Sequence, residues 1–177
     1  YAIGSPDGST STTITGLTGT TATSNTLGNV TSNTTNYEYS AAVAAMSAAS
    51  ALTGNTLRFS GTGATTIIDG TSNITLNGLM NAGSGALLIQ GGAAAGGIKI
   101  GANNELVITG NGQLTTISTT VIADGAGGPG SVTFSSAGAL TGAGSGLNLQ
   151  AVNTFSGGFT LNSGTVFVGN NQALGTG

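Results

Sequence analysis

The chain has 177 residues, enough for one domain with a sizeable core, yet only 4% are charged and 5% aromatic, against about 25% charged in an ordinary soluble domain. Two basic and five acidic residues leave a net charge of −3, which excludes a nucleic-acid partner, because Arg58 and Lys99 cannot form the basic stripe that phosphates require. With no Cys and no His, disulfides, thiolate chemistry, Cys/His zinc sites and imidazole acid–base catalysis are excluded too.

Residues 1–36 are dominated by Thr, Ser, Gly and Asn and read as an N-terminal arm or an irregular first coil. Within them Thr13, Ile14 and Thr15 form a candidate assembly strand. Thr favours extended backbone, and such a segment can add to the open sheet edge of a neighbouring subunit. The chain opens on Tyr1 with no charged and apolar leader, so it is expected to be a mature or excised part of a longer precursor. No run of about 20 apolar residues is present to span a membrane as a helix.

Residues 37–54 break the pattern. From Ser40 to Leu52 most residues are Ala, the best helix former, and Gly54 is placed to end a helix. Ala42, Met46 and Ala49 share one helical face. This segment is expected to be a short helix or a tightly packed loop near residues 40–52.

Residues 55–177 read as the coils of a β-solenoid. Of short runs such as Leu57-Arg58-Phe59, Ile74-Thr75-Leu76, Ile98-Lys99-Ile100, Leu106-Val107-Ile108 and Val132-Thr133-Phe134, most alternate an apolar residue with a polar one, the period of a half-buried strand. Gly, Asn, Asp or Ser punctuates nearly every gap. Two or three such strands close a coil of ~20 residues, so the chain would wind roughly eight turns spaced ~4.8 Å apart. A β-sandwich also uses short, evenly spaced strands. It would need charges to protect its edges, and this chain has almost none. The expected fold is all-β, a parallel β-helix.

The stretch Asn153-Thr154-Phe155-Ser156-Gly157-Gly158, then Phe159-Thr160-Leu161-Asn162, Ser163-Gly164-Thr165 and Ala173-Leu174-Gly175, resembles the passenger-associated β-strand repeat of bacterial autotransporters. The repeat-motif residues are Asn153, Phe155, Gly157, Gly158, Gly164, Leu174 and Gly175. The family usually has Tyr where Phe155 stands and commonly Thr where Phe159 stands. Looser likeness appears at Asn55-Thr56-Leu57-Arg58-Phe59, at Asn104-Glu105-Leu106-Val107-Ile108-Thr109 and at Val121-Ile122-Ala123-Asp124-Gly125. The resemblance implies a right-handed parallel β-helix that is secreted and displayed on the bacterial surface or in its matrix. It brings no catalytic residue and no cofactor.

Five acids, Asp7, Glu38, Asp69, Glu105 and Asp124, are all that a glycosidase-like pair of carboxylates can be drawn from. None are neighbours in sequence, although Asp69, Glu105 and Asp124 can align across coils. Polysaccharide lyases further need a basic cluster, so an enzyme is disfavoured. Repeated Gly/Asp calcium nonapeptides and a phosphate loop are both missing, and no metal site is expected. Asn29, Asn33 and Asn73 open Asn-x-Thr sequons and are candidate glycosylation sites.

The expectation is therefore a noncatalytic structural segment of a bacterial surface or extracellular fibre. It self-assembles by end-to-end coil stacking or strand addition, with copies of itself or neighbouring repeats as partners. The alternative is an adhesive or carbohydrate-binding passenger module that meets surface glycans through Thr/Asn ladders and the exposed rings of Tyr37, Tyr39 or Phe159.

Overall fold

A computed structural model describes residues 2–3, 15–16, 20–21, 27, 30–40, 43–45, 51–62, 64–68, 73–91, 97–136 and 145–177. Every regular element among them is a strand. In chain order these are β1 (Ala2–Ile3), β2 (Thr15–Gly16), β3 (Thr20–Thr21), β4 (Thr31–Tyr39), β5 (Val43–Ala45), β6 (Leu52–Phe59), β7 (Ala64–Ile68), β8 (Asn73–Leu76) and β9 (Gly78–Asn81). The second half adds β10 (Leu87–Gly91), β11 (Gly97–Ile100), β12 (Glu105–Gly110), β13 (Leu114–Ile117), β14 (Val121–Ala123), β15 (Ser131–Ser136), β16 (Gly146–Leu149), β17 (Phe159–Ser163) and β18 (Val166–Val168).

Apart from the β1–β2 pair, all of these strands pair in parallel, each with the strand one coil before or after it. The result is a β-solenoid with three faces. One face stacks β5, β7, β10, β13, β16 and β18. A second runs through β4, β6, β9, β12, β15 and β17, and the third through β8, β11 and β14. The eight-residue β6 joins the last two faces, because its first half pairs with β8 and its second half with β9. Two facing antiparallel layers, the sandwich arrangement, do not occur among the described residues.

Alternation along each strand sets which side chains enter the interior. On the second face, register stacks Tyr37, Leu57, Leu79, Ile108 and Phe134 directly over one another, and all are buried. On the third face Leu52, Ile74, Ile98 and Ile122 form a similar row. Each fully buried chain of this kind contributes about 1.5–3 kcal/mol. A second aromatic row begins with Tyr39 and Phe59, whose rings lie 5.3 Å apart and tilted at 50°. Register continues it to Asn81, which is buried and accepts the Gly83 amide at 3.1 Å.

The corner between the third and second faces grows along the chain. β6 turns it without a break, Asn77 alone separates β8 from β9, residues 101–104 separate β11 from β12, and residues 124–130 separate β14 from β15. Coils therefore differ in length. Ile74 lies 22 residues after its partner Leu52, and Gly146 lies 32 after Leu114.

Several expectations change. Coils range from the 17 residues between Thr20 and Tyr37 to the 32 between Leu114 and Gly146 instead of holding near 20, and the first face is six strands deep, fewer than the eight turns anticipated. Parallel rungs begin before residue 55, since β3 pairs β4 and β4 pairs β6. Within the Ala-rich stretch Val43–Ala45 is a strand paired with β7, not a helix. A parallel neighbour there takes up backbone groups that a helix would satisfy locally, and tertiary pairing overrides the modest propensity of Ala. Ala42, Met46 and Ala49 lie outside the described residues. Thr15 of the candidate assembly strand pairs with Ile3 of its own chain, while Thr13 and Ile14 lie outside the described residues. The rings of Tyr37 and Tyr39 are buried, so they offer no exposed stacking platform.

Candidate functional site

The repeat-like stretch builds the final coil, and its residues act by shape. Asn153 is completely buried. Its Oδ1 accepts the Ile122 amide at 2.8 Å and its Nδ2 donates to the Ala173 carbonyl at 2.6 Å, so one side chain joins the last coil to the one beneath it. Phe155 is also fully buried within the core. A Cβ on Gly157 would lie 2.7 Å from the backbone of Gly130, which only Gly avoids. Gly158, Gly164 and Gly175 take φ of +87°, +102° and +86°, the left-handed region that disfavours other residues. Leu174 is 38% exposed, whereas the neighbouring Ala173 is buried.

The same coil leaves an apolar face uncovered. Register places Phe159 and Leu161 over Val132 and Phe134, and Val166 and Val168 over Leu147 and Leu149. All four lower residues are buried, but Leu161 is 49% and Val168 55% exposed. β17 and β18 are also the last strands of their sheets. Each presents one edge with no strand beside it among the described residues.

A second feature lies on the flank, beside the growing corner. Asn36, Asn55 and Asn77 form a ladder in which Asn55 Nδ2 donates to Asn36 Oδ1 at 2.9 Å and Asn77 Nδ2 to Asn55 Oδ1 at 3.0 Å. The Asn103 amide continues it, donating to Asn77 Oδ1 at 3.1 Å. Such stacking satisfies corner backbone and amide groups that a wider turn would expose. Outward residues of β4, β6, β9 and β12 form rows beside the ladder. Gly78 interrupts one of them between Thr56 and Val107. The gap opens a groove of about 550 Å³. Its other boundary is Arg58 and Met80, the latter 39% exposed.

The described carboxylates are each engaged separately. Glu38 meets Arg58 at 3.6 Å, and Glu105 Oε1 accepts the Thr133 hydroxyl at 2.5 Å. Asp124 binds the widest corner: Oδ1 accepts the Gly130 and Ser156 amides at 2.8 and 2.9 Å, and Oδ2 accepts the Ser156 hydroxyl at 2.7 Å. Burial raises the Asp124 pKa, but the Ser156 hydroxyl, these two amides and the charge of Lys99 outweigh it and hold the carboxyl below its ordinary value near 3.8. Tyr37 behaves similarly. Burial raises its pKa, while the Thr31 and Ser32 amides, donating to its oxygen at 3.2 Å each, bring it below 10. No group of three or more metal-ligating side chains occurs among the described residues. Asp7 and Asp69 lie outside them, so the alignment of Asp69 with Glu105 and Asp124 has no described geometry.

Of the sequons, Asn33 is exposed on β4 and Asn73 is half-buried at the start of β8; Asn29 lies outside the described residues. Sequence reasoning missed the flank groove. Its signal was an Asn in four successive coils, Asn36, Asn55, Asn77 and Asn103, at separations of 19, 22 and 26 residues, hidden by the changing coil length. Comparison with protein-family models, curated proteins and solved structures finds no match.

Proposed function

We propose that this chain is a noncatalytic structural segment of an extracellular or bacterial-surface fibre, and that a further parallel coil, from a second copy or from a neighbouring repeat, stacks on the coil of β17 and β18. The observation that carries this reading is the uncovered interior of that coil. Leu161 and Val168 occupy inward positions yet stand half-exposed, and the β17 and β18 edges lie beside them. A head-to-tail copy keeps every strand parallel, which is the pairing used throughout the chain. Covering these apolar side chains removes their surface from water. A repeated contact of this kind is heterologous, and stacking along the solenoid axis extends it into a filament.

Three further features support a scaffold. The carboxylates described are occupied one by one with hydroxyl, amide or guanidinium partners. The lack of Cys suits export of an unfolded chain, and the resemblance of the final coil points to the bacterial surface.

Sedimentation velocity across a concentration series tests the stacking. The chain is expected to give a ladder of species that lengthens with concentration. Leu161→Lys combined with Val168→Lys should hold it as a monomer with unchanged circular dichroism, since lysines on an open end reach solvent without disturbing the coils below. A monomer at every concentration, or a ladder that the double variant leaves intact, contradicts the reading.

A further inference from the structure

The flank groove is independent of the coil end, and its chemistry is of another kind. One wall is a rigid series of side-chain amides, fixed by the Asn36–Asn55–Asn77 ladder. Above it stands the Asn103 side chain, exposed and without a hydrogen bond to any described residue, and the Thr109 hydroxyl on β12 is also unpaired. Arg58, opposite, spends one nitrogen on Glu38 and leaves part of its guanidinium exposed, while its Nε is buried without a partner among the described residues. Between the walls the floor is apolar and flat, because Gly78 lacks a side chain and Val107 and Met80 flank it. Such a surface offers many donors and acceptors, an apolar strip, and little charge to spare.

We infer that this groove binds a neutral oligosaccharide, lying along the solenoid axis across successive rungs. Sugar rings present hydroxyls at their edges and C–H groups on their faces. Amide, hydroxyl and guanidinium groups answer the first, and the Gly78 floor with Met80 answers the second. The volume of about 550 Å³ falls in the range of small-molecule sites, about 300–1,000 Å³. Rungs recur every ~4.8 Å, a spacing close to the length of one pyranose unit. The two carboxylates beside the groove, Glu38 and Glu105, outnumber Arg58, so an anionic chain is repelled.

Nitrogen-15 NMR with three neutral probes, cellohexaose, xylohexaose and maltohexaose, and one anionic probe, hexagalacturonate, tests the assignment. At least one neutral probe should shift the side-chain amide signals of Asn55, Asn77 and Asn103 in a saturable way, and hexagalacturonate should not. Asn103→Ala removes a side chain with no described partner, so the fold should persist while affinity falls about fivefold, the loss of one hydrogen bond worth ~1 kcal/mol. Gly78→Val fills the floor and should abolish binding. If that variant does not fold, Met80→Lys, at an exposed position on the rim, should weaken binding instead. No shift with any neutral probe, shifts confined to another face, equal affinity in Asn103→Ala, or binding of the anionic probe alone each overturns the inference. None of these outcomes bears on end stacking, which the lysine variants at the coil end report separately.

Discussion

Asp124 shows how a single side chain can hold a wide turn in place. It gathers Gly130 from across its own corner and Ser156 from the next coil, so an ionised carboxylate serves as the common acceptor for three donors. Those donors hold its folded pKa below 3.8. A depressed folded pKa contributes stability that is fully present above the unfolded value near 3.8 and is lost as pH falls through the folded value. Thermal unfolding followed between pH 6 and pH 2 should therefore show Tm falling in the window below about 3.8. Asp124→Asn should flatten that part of the profile while lowering Tm at neutral pH; an unchanged profile contradicts the role given to the carboxylate. Nothing in the sequence marked this acid as the anchor of a corner, because its partners come from residues up to 32 positions away. Asn153 heads the stretch singled out in the sequence, and in the structure that stretch supplies packing constraints: a buried amide, a buried ring and glycines at close approaches.

At the scale of the strand and its corner, alternation was the strongest signal. Leu106-Val107-Ile108-Thr109 and Val132-Thr133-Phe134 show which side chains point inward from sequence alone, and the register confirms them as stacked neighbours. Coil length was not legible. Corners absorb extra residues, from Asn77 alone to residues 124–130, while the flanking rungs keep their pairing, so no fixed period survives in the sequence. The Ala-rich stretch was misread for a related reason: Val43–Ala45 joins a ladder through backbone groups, and side-chain pattern says little about that. This account predicts a sharp asymmetry in tolerance. Inserting Gly-Ser between Ala126 and Gly127, in the widest corner, should change Tm by only a few degrees, because lengthening a surface loop costs little entropy. A single Gly inserted between Val107 and Ile108 should unfold the coil stack, because a one-residue slip turns the inward side chains on one side of the insertion outward and breaks their match to β9 and β15. Equal losses from both insertions, measured by thermal unfolding, contradict the division between rungs and corners.

For the molecule as a whole, the stacking of apolar rows fixes both what is stable and what is left open. Interior rungs are buried from above and below, so Leu106, Ile108 and Phe134 need no charged neighbours to protect them. That accounts for a chain with 4% charged residues. The final coil lacks such cover, and its inward residues are the apolar surface on which the proposed fibre depends. Composition and alternation made the solenoid legible. The open end was visible only once register placed Leu161 over Phe134 and Val168 over Leu149. Small-angle X-ray scattering over a concentration series tests the central claim most directly, because it separates growth in length from growth in width. End stacking predicts that the maximum dimension rises with concentration while the cross-sectional radius stays that of one solenoid. A cross-section that widens as the particle grows, or a single-chain length at every concentration, would contradict it.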